Sequence, residues 1–235
     1  MSKGLLNSMV LKNLFEDVDG AELLPSLIES GVITKEQVEE YYKANIKSQK
    51  AQKPTYSTIK DGVLVKFDDR DLVNGGYVTP VGVHTIGEGA FAQCNTIFRV
   101  KLRRDIKRIK KGAFISCHNL ESVQMTNSVR WIDEDAFNSC MSLTDLKLSS
   151  NLKEISLCTF ANCTHLQQVE LPEKLEVIND YAFSWCDNLN RISSPPESLI
   201  YVSEEAFEQT PIGRDFMRLY HKHQEEQNQE KGNVK

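Results

Sequence analysis

Ser128-Val129-Arg130-Trp131-Ile132-Asp133-Glu134-Asp135-Ala136-Phe137-Asn138-Ser139-Cys140 is one copy of a motif that recurs along the chain. Phe137 has counterparts at Phe91, Phe114, Phe160 and Phe183, each 23 residues from the next, and Phe207 follows after 24. Ala precedes the Phe in every copy except the fourth, where Thr159 stands. Three residues later comes Cys94, Cys117, Cys140, Cys163 or Cys186. Apolar columns continue six, nine and eleven residues after the Phe: Leu120, Val123 and Met125 in one copy, Leu143, Leu146 and Leu148 in the next. Two further columns run through Ile106, Val129, Leu152 and Leu175, and through Ile109, Ile132, Ile155 and Ile178. The last copy regains both as Leu199 and Val202 after its one-residue insertion.

A fixed period of this length marks a stack of supersecondary units. In A-F-x-x-C, Phe and Cys lie three apart, the spacing of one side of a helical turn. In L-x-x-V-x-L the last two apolar positions alternate, the period of a half-buried strand. One unit cannot cover both faces of its own apolar layer, so units must stack. The pattern predicts an α+β solenoid of about six turns.

The unit L-x-x-V-x-L-x-x-x-L-x-x-I-x-x-x-A-F-x-x-C resembles the BspA-type leucine-rich repeat over residues 76–210. Asp61-Gly62-Val63-Leu64-Val65 is similar to the strand that often leads into such arrays. The resemblance implies a protein-binding surface, and it points to bacterial and protist surface or secreted proteins.

The flanks read differently. Residues 1–53 show helical spacing: Leu6, Val10, Leu14 and Val18 recur every fourth residue, and Thr34 with Gln37 forms a capping-box signature for a later helix. Residues 54–75 form a linker and the leading strand. Residues 211–223 are expected to be a capping helix, with Thr210 as its N-cap and Pro211 at its first position. Ile212, Phe216, Leu219 and Tyr220 would line its inner face. Residues 224–235 hold no apolar residue but Val234 and are expected to be a disordered tail.

With 40% hydrophobic and 26% charged residues the chain can build a core, and a net charge of -5 gives no global pull toward nucleic acid or an anionic membrane. No apolar run approaches the ~18 residues of a transmembrane helix. Asn7, Ser8, Lys12 and Asn13 interrupt the first apolar residues, so no secretory leader is read and a cytoplasmic location is expected. Export by a non-classical route, as an effector or adhesin, is the alternative.

The five column cysteines are expected to be free, buried thiols, because side chains in one solenoid column point the same way and a bridge would be strained. Cys158 lies outside the column and is the candidate reactive thiol. His118 and His165 share no C-x-x-C or H-x-x-x-H spacing, so no metal site and no cofactor is expected. No nucleophile elbow or phosphate loop occurs, and Gly87-Glu88-Gly89 reads as a corner. The chain is expected not to be an enzyme.

What remains is surface. Strand positions between apolar columns face outward in two rows. One runs Arg99, Ser122, Asp145, Gln168, Arg191, and the next runs Lys101, Gln124, Lys147, Glu170, Ser193. This face is the expected site for a protein partner. The alternative is phosphate or nucleic acid at residues 99–111, where Arg99, Lys101, Arg103, Arg104, Lys107, Arg108, Lys110 and Lys111 stand against Asp105 alone. Trp131 follows Arg108 by one repeat and would sit beside it, open to a cation–π stack or to a base.

Overall fold

The computed structural model describes residues 55–232, together with Thr34 and Glu36. The chain divides into two units, Met1–Pro54 and Thr55–Lys235. Glu36 is helical and Thr34 is not. The other helices expected in 1–53 lie outside the described residues.

The second unit opens with a hairpin, β1 (Thr58–Lys60) and β2 (Val63–Lys66), turned at Asp61 and Gly62 with positive φ at both. Beyond it the chain winds as a solenoid with two parallel sheets. The first holds β3 (Gly76–Val78), β5 (Arg99–Lys101), β7 (Ser122–Gln124) and β9 (Asp145–Lys147), and continues in β11 (Gln168–Val169) and β13 (Arg191–Ile192). The second holds β4 (Thr85–Ile86), β6 (Arg108–Ile109) and β8 (Trp131–Ile132) beside β2, then β10 (Glu154–Ile155), β12 (Val177–Ile178) and β14 (Tyr201–Val202). Every pairing steps one repeat: Val100 faces Val123, Val123 faces Leu146, and Ile109 faces Ile132. The extra residue of the last turn falls within 193–198, and Ile178 still pairs with Val202.

The predicted columns are the core. Phe114, Phe137, Phe160 and Phe183 are fully buried with Leu120, Leu143, Leu166 and Leu189. The rings stack from Phe91 to Phe207 at 4.6, 5.0, 5.5, 5.4 and 5.3 Å between centroids. Offset stacking adds about 0.5–1.5 kcal/mol per pair beyond the burial itself. Both ends of this ladder are closed by further aromatic rings. Phe67 stacks on Phe91 at 4.6 Å, with Tyr77 edge-on to both, and Phe216 covers Phe207 at 4.9 Å.

The A-F-x-x-C segment is not a helical turn. Ala136, Asn138 and Cys140 N–H groups bond to carbonyls three residues back, at Asp133, Asp135 and Phe137. The N–H groups between them, on Asp135, Phe137 and Ser139, donate instead to Leu157, Thr159 and Ala161 of the next turn. A helix would send every N–H to its own i−4 carbonyl. Here half the donors are needed between layers, so the backbone runs as tandem β-turns. Residues two before and two after the Phe take positive φ: Gly89, Gly112, Asp135, Cys158 and Tyr181 before it, and Gln93, Ser116, Ser139, Asn162, Trp185 and Gln209 after it.

The array ends in α1 (Gly213–Gly232). Gly213 starts it against Phe207, whose Cβ and carbonyl oxygen would lie 2.8 Å from any added Cβ. Phe216 and Tyr220 are buried and Ile212 and Met217 pack on the core, whereas Leu219 is half exposed. The helix runs through most of the stretch expected to be disordered. Its polar side chains hold it down: Gln224 donates to the Leu199 carbonyl at 2.7 Å and Gln227 to the Glu197 carbonyl at 3.0 Å. No helix among the described residues is long and apolar enough to cross a membrane.

Candidate functional site

Parallel register builds the exposed face of the first sheet. Arg99 pairs with Ser122 and Ser122 with Asp145, while Lys101 pairs with Gln124 and Gln124 with Lys147. Gln168 pairs with Arg191 in the later strands, and Glu170 follows Gln168 along the chain. The register thus carries both rows from β5 to β9 and takes up the first again from β11 to β13. Arg99, Gln124, Lys147, Gln168 and Glu170 are exposed and Lys101 is half-buried, while Val100, Val123, Leu146 and Val169 between them are buried. The face is polar, of mixed charge, and carries no aromatic side chain from β5 to β13.

The basic stretch 99–111 runs over both sheets and the corner between them. Arg99 and Lys101 stand on the first sheet, Arg103 and Arg104 on the corner, and Lys107 and Arg108 at the second sheet. Two of its cations are engaged by the next turn: Arg108 Nε reaches Asp133 at 3.0 Å and Lys111 Nζ reaches Glu134 at 2.7 Å. Lys107 Nζ donates to the Arg104 carbonyl at 3.3 Å, and the Arg103 N–H donates to Thr79 Oγ1 at 2.9 Å. Arg108 and Trp131 are paired in register, as the spacing required. The guanidinium turns to Asp133, and the recorded cation–π contact among the described residues is Arg70 over Tyr56, 4.2 Å from the ring centre.

Trp131 is 53% exposed and lines an open groove of about 860 Å³ on the second sheet. Arg108, Arg130, Asp133, Lys153 and Glu176 line it too. Lys153 is ion-paired with Glu176, so pairs between successive turns form much of the rim.

The cysteine column does more than fill space. All six thiols are free. The Cys117, Cys140, Cys163 and Cys186 thiols donate to the carbonyls of Phe91, Phe114, Phe137 and Phe160 in the preceding turn, at 2.9–3.3 Å. Thr210 holds the same place in the last turn: its hydroxyl donates to the Phe183 carbonyl at 2.6 Å. It is thus a rung of this ladder, not the cap of α1. Burial pushes the Cys117 and Cys186 thiols up to about 12 and holds Cys140 and Cys163 well above the ordinary thiol range. Cys158 is raised too, by burial and then by the charges of Asp135, Asp180 and Glu134. A raised thiol is poorer in thiolate, which works against Cys158 as a nucleophile. Among the described residues no group of three or more His, Cys, Asp or Glu could hold a metal ion.

Stacked parallel turns with a Phe ladder, a Cys ladder and a registered strand face define a leucine-rich repeat solenoid. The chain belongs to the BspA-type leucine-rich repeat family, whose pattern it matches in six copies over residues 84–213. Such repeats typically serve as protein-interaction scaffolds and are generally non-catalytic. Among solved structures it is similar to a leucine-rich repeat protein of T. pallidum, at 19% identity and TM-score 0.56, over 72% of this chain and 95% of that one. A leucine-rich cell surface protein of Faecalibacterium prausnitzii matches at 22% identity and TM-score 0.57, over 68% of this chain and 48% of that one. A leucine-rich repeat protein of Bacteroides ovatus matches at 26% identity and TM-score 0.51, over 63% of this chain and 39% of that one. The chain thus spans nearly all of the first relative and less than half of the other two. No curated protein matches it.

Proposed function

We propose that this chain is a non-catalytic scaffold that takes a protein partner on the exposed face of its first sheet. The observation that carries this reading is the register of the two polar rows. Arg99, Gln124, Lys147, Gln168 and Glu170 stay exposed over successive turns while the residues between them are consumed by the core. A rigid row of side chains at the ~4.8 Å strand spacing suits an extended or flat protein surface. The phosphate reading is weakened, since Arg108 and Lys111 already face carboxylates and the remaining cations are spread over two sheets.

Partner capture tests it. Wild type is compared with a Gln124→Arg, Gln168→Arg variant and with a Lys110→Ala variant, which alters the basic stretch alone. A partner retained from roughly 50 to 200 mM salt, lost with the first variant and kept with the second, supports the reading. A partner lost steeply over that salt range, or lost only with the second variant, overturns it.

A further inference from the structure

We propose that the Trp131 groove on the second sheet docks an acidic, extended segment of a partner protein, with Arg130 meeting a carboxylate and the indole meeting an apolar side chain. This surface is distinct from the first-sheet face, so the two readings stand or fall separately.

Three observations converge on the groove. Its volume of about 860 Å³ is drawn from four successive turns, from Arg108 to Val177, so it is long enough to follow a chain across the layers. Its apolar part is concentrated in one large side chain, Trp131, which is 53% exposed on a strand whose next residue, Ile132, is buried. Trp and Arg are the side chains most enriched at interface hot spots, and here they are adjacent.

Charge selects the occupant. Four carboxylates line the groove, and each already accepts from a neighbour: Asp133 from Arg108, Glu134 from Lys111, Glu176 from Lys153, and Glu154 from Asn179. Arg130, exposed beside Trp131, has no carboxylate partner among the described residues. Its N–H bonds to the Lys107 carbonyl, which sets Lys107 directly beside it in the preceding turn. Five cations, Arg108, Lys111, Arg130, Lys153 and Lys174, line the groove against four carboxylates, so the groove is positive by one on a chain whose net charge is -5. An acidic segment is drawn to this local excess of positive charge, which gives orientation as well as affinity.

The chain has two tryptophans, so a Trp185→Phe background leaves Trp131 as the reporter of its own groove. The probe is a fluorescein-labelled peptide, Glu-Glu-Leu-Glu-Phe-Glu-Glu, titrated into the full chain. Its lysine counterpart and a single-stranded oligonucleotide of equal charge serve as comparisons. Saturable binding of the acidic peptide with quenching of Trp131 is expected. Trp131→Ala and Arg130→Glu should each weaken it about tenfold or more without lowering the melting temperature, while Lys147→Ala on the other sheet leaves it unchanged. No saturation by about 1 mM, or equal binding by the lysine peptide, overturns the proposal. Tighter binding of the oligonucleotide with the same response to the variants overturns it in favour of a polyanion site.

Discussion

The thiol of Cys163 donates to the carbonyl of Phe137 across 3.3 Å, one turn back along the spiral. The same carbonyl accepts the Cys140 N–H at 3.1 Å within its own turn. The carbonyls of Phe91, Phe114, Phe137 and Phe160 are thus each filled twice, once locally and once by the following layer. Cys163→Ala should cost about 1–3 kcal/mol, combining a small cavity with an unfilled acceptor. Cys163→Ser should cost less, because Thr210 shows that a hydroxyl can make this bond. Urea unfolding of the two variants gives the comparison, and a serine variant weaker than the alanine one would contradict the ladder.

The thiols also set an alkaline limit. Their folded pKa values lie above those of the unfolded chain, so the unfolded state loses protons first and binds fewer of them as pH rises. Stability is then full below about 8.5 and falls as pH climbs toward 12. By pH 10 Cys117 and Cys186 should each have forfeited about 1–2 kcal/mol, and Cys140 and Cys163 act in the same direction. Urea midpoints at pH 7, 9 and 10 measure this. A Cys140→Ser, Cys163→Ser double variant, with two fewer thiols to titrate, should show the shallower decline.

Corner geometry gives a pair of opposite substitutions at one repeat position. Gly112 has φ +57° and Cys158 has φ +53°. Gly112→Ala should destabilise by about 1 kcal/mol, since a left-handed L-residue costs ~1–2 kcal/mol. The added Cβ meets ordinary contacts, so conformation and not collision is the cause. Cys158→Gly should be neutral or stabilising by up to about 1 kcal/mol, after the greater chain entropy of Gly is subtracted. Thermal melts decide both signs.

Inside and outside separate cleanly. Phe137→Ala, in the middle of the ring stack, should cost about 3–5 kcal/mol. Gln168→Ala, exposed on the first sheet, should change stability by less than about 0.5 kcal/mol. Comparable losses from both would mean the assignment of columns is wrong.

The columns were legible because side-chain identity carries them: a Phe every 23 residues must occupy equivalent places in a stack. The registered rows followed from that period, as did the pairing of Arg108 with Trp131. The corner conformation was not legible. Phe137 and Cys140 stand three apart in a helix and in a β-turn alike, and the choice between them is made by backbone N–H groups that leave no mark on residue type. Ser139, Asn162 and Trp185 share one left-handed position with no common chemistry. Phe67, 24 residues before Phe91, and Tyr77, 23 before Val100, continue the ring stack and the strand column without the flanking Ala and Cys that mark the repeat. The length of α1 was missed for a different reason. Gln224 and Gln227 fasten it through polar bonds, which leave no apolar periodicity in the sequence. At the second sheet, Arg130 and Trp131 were visible as residues, but the groove needs Asp133, Lys153 and Glu176 from neighbouring turns to take shape.

Cross-layer bonding of alternate corner N–H groups bears on how the molecule answers force. Each coil is held by its two neighbours and by nothing farther away, so tension on the C-terminus, once α1 has detached, would strip coils singly from that end. Every rupture would free 23 residues, roughly 80 Å of slack. A pulling trace should be a sawtooth of near-equal steps, with the remaining spiral intact and competent behind each break.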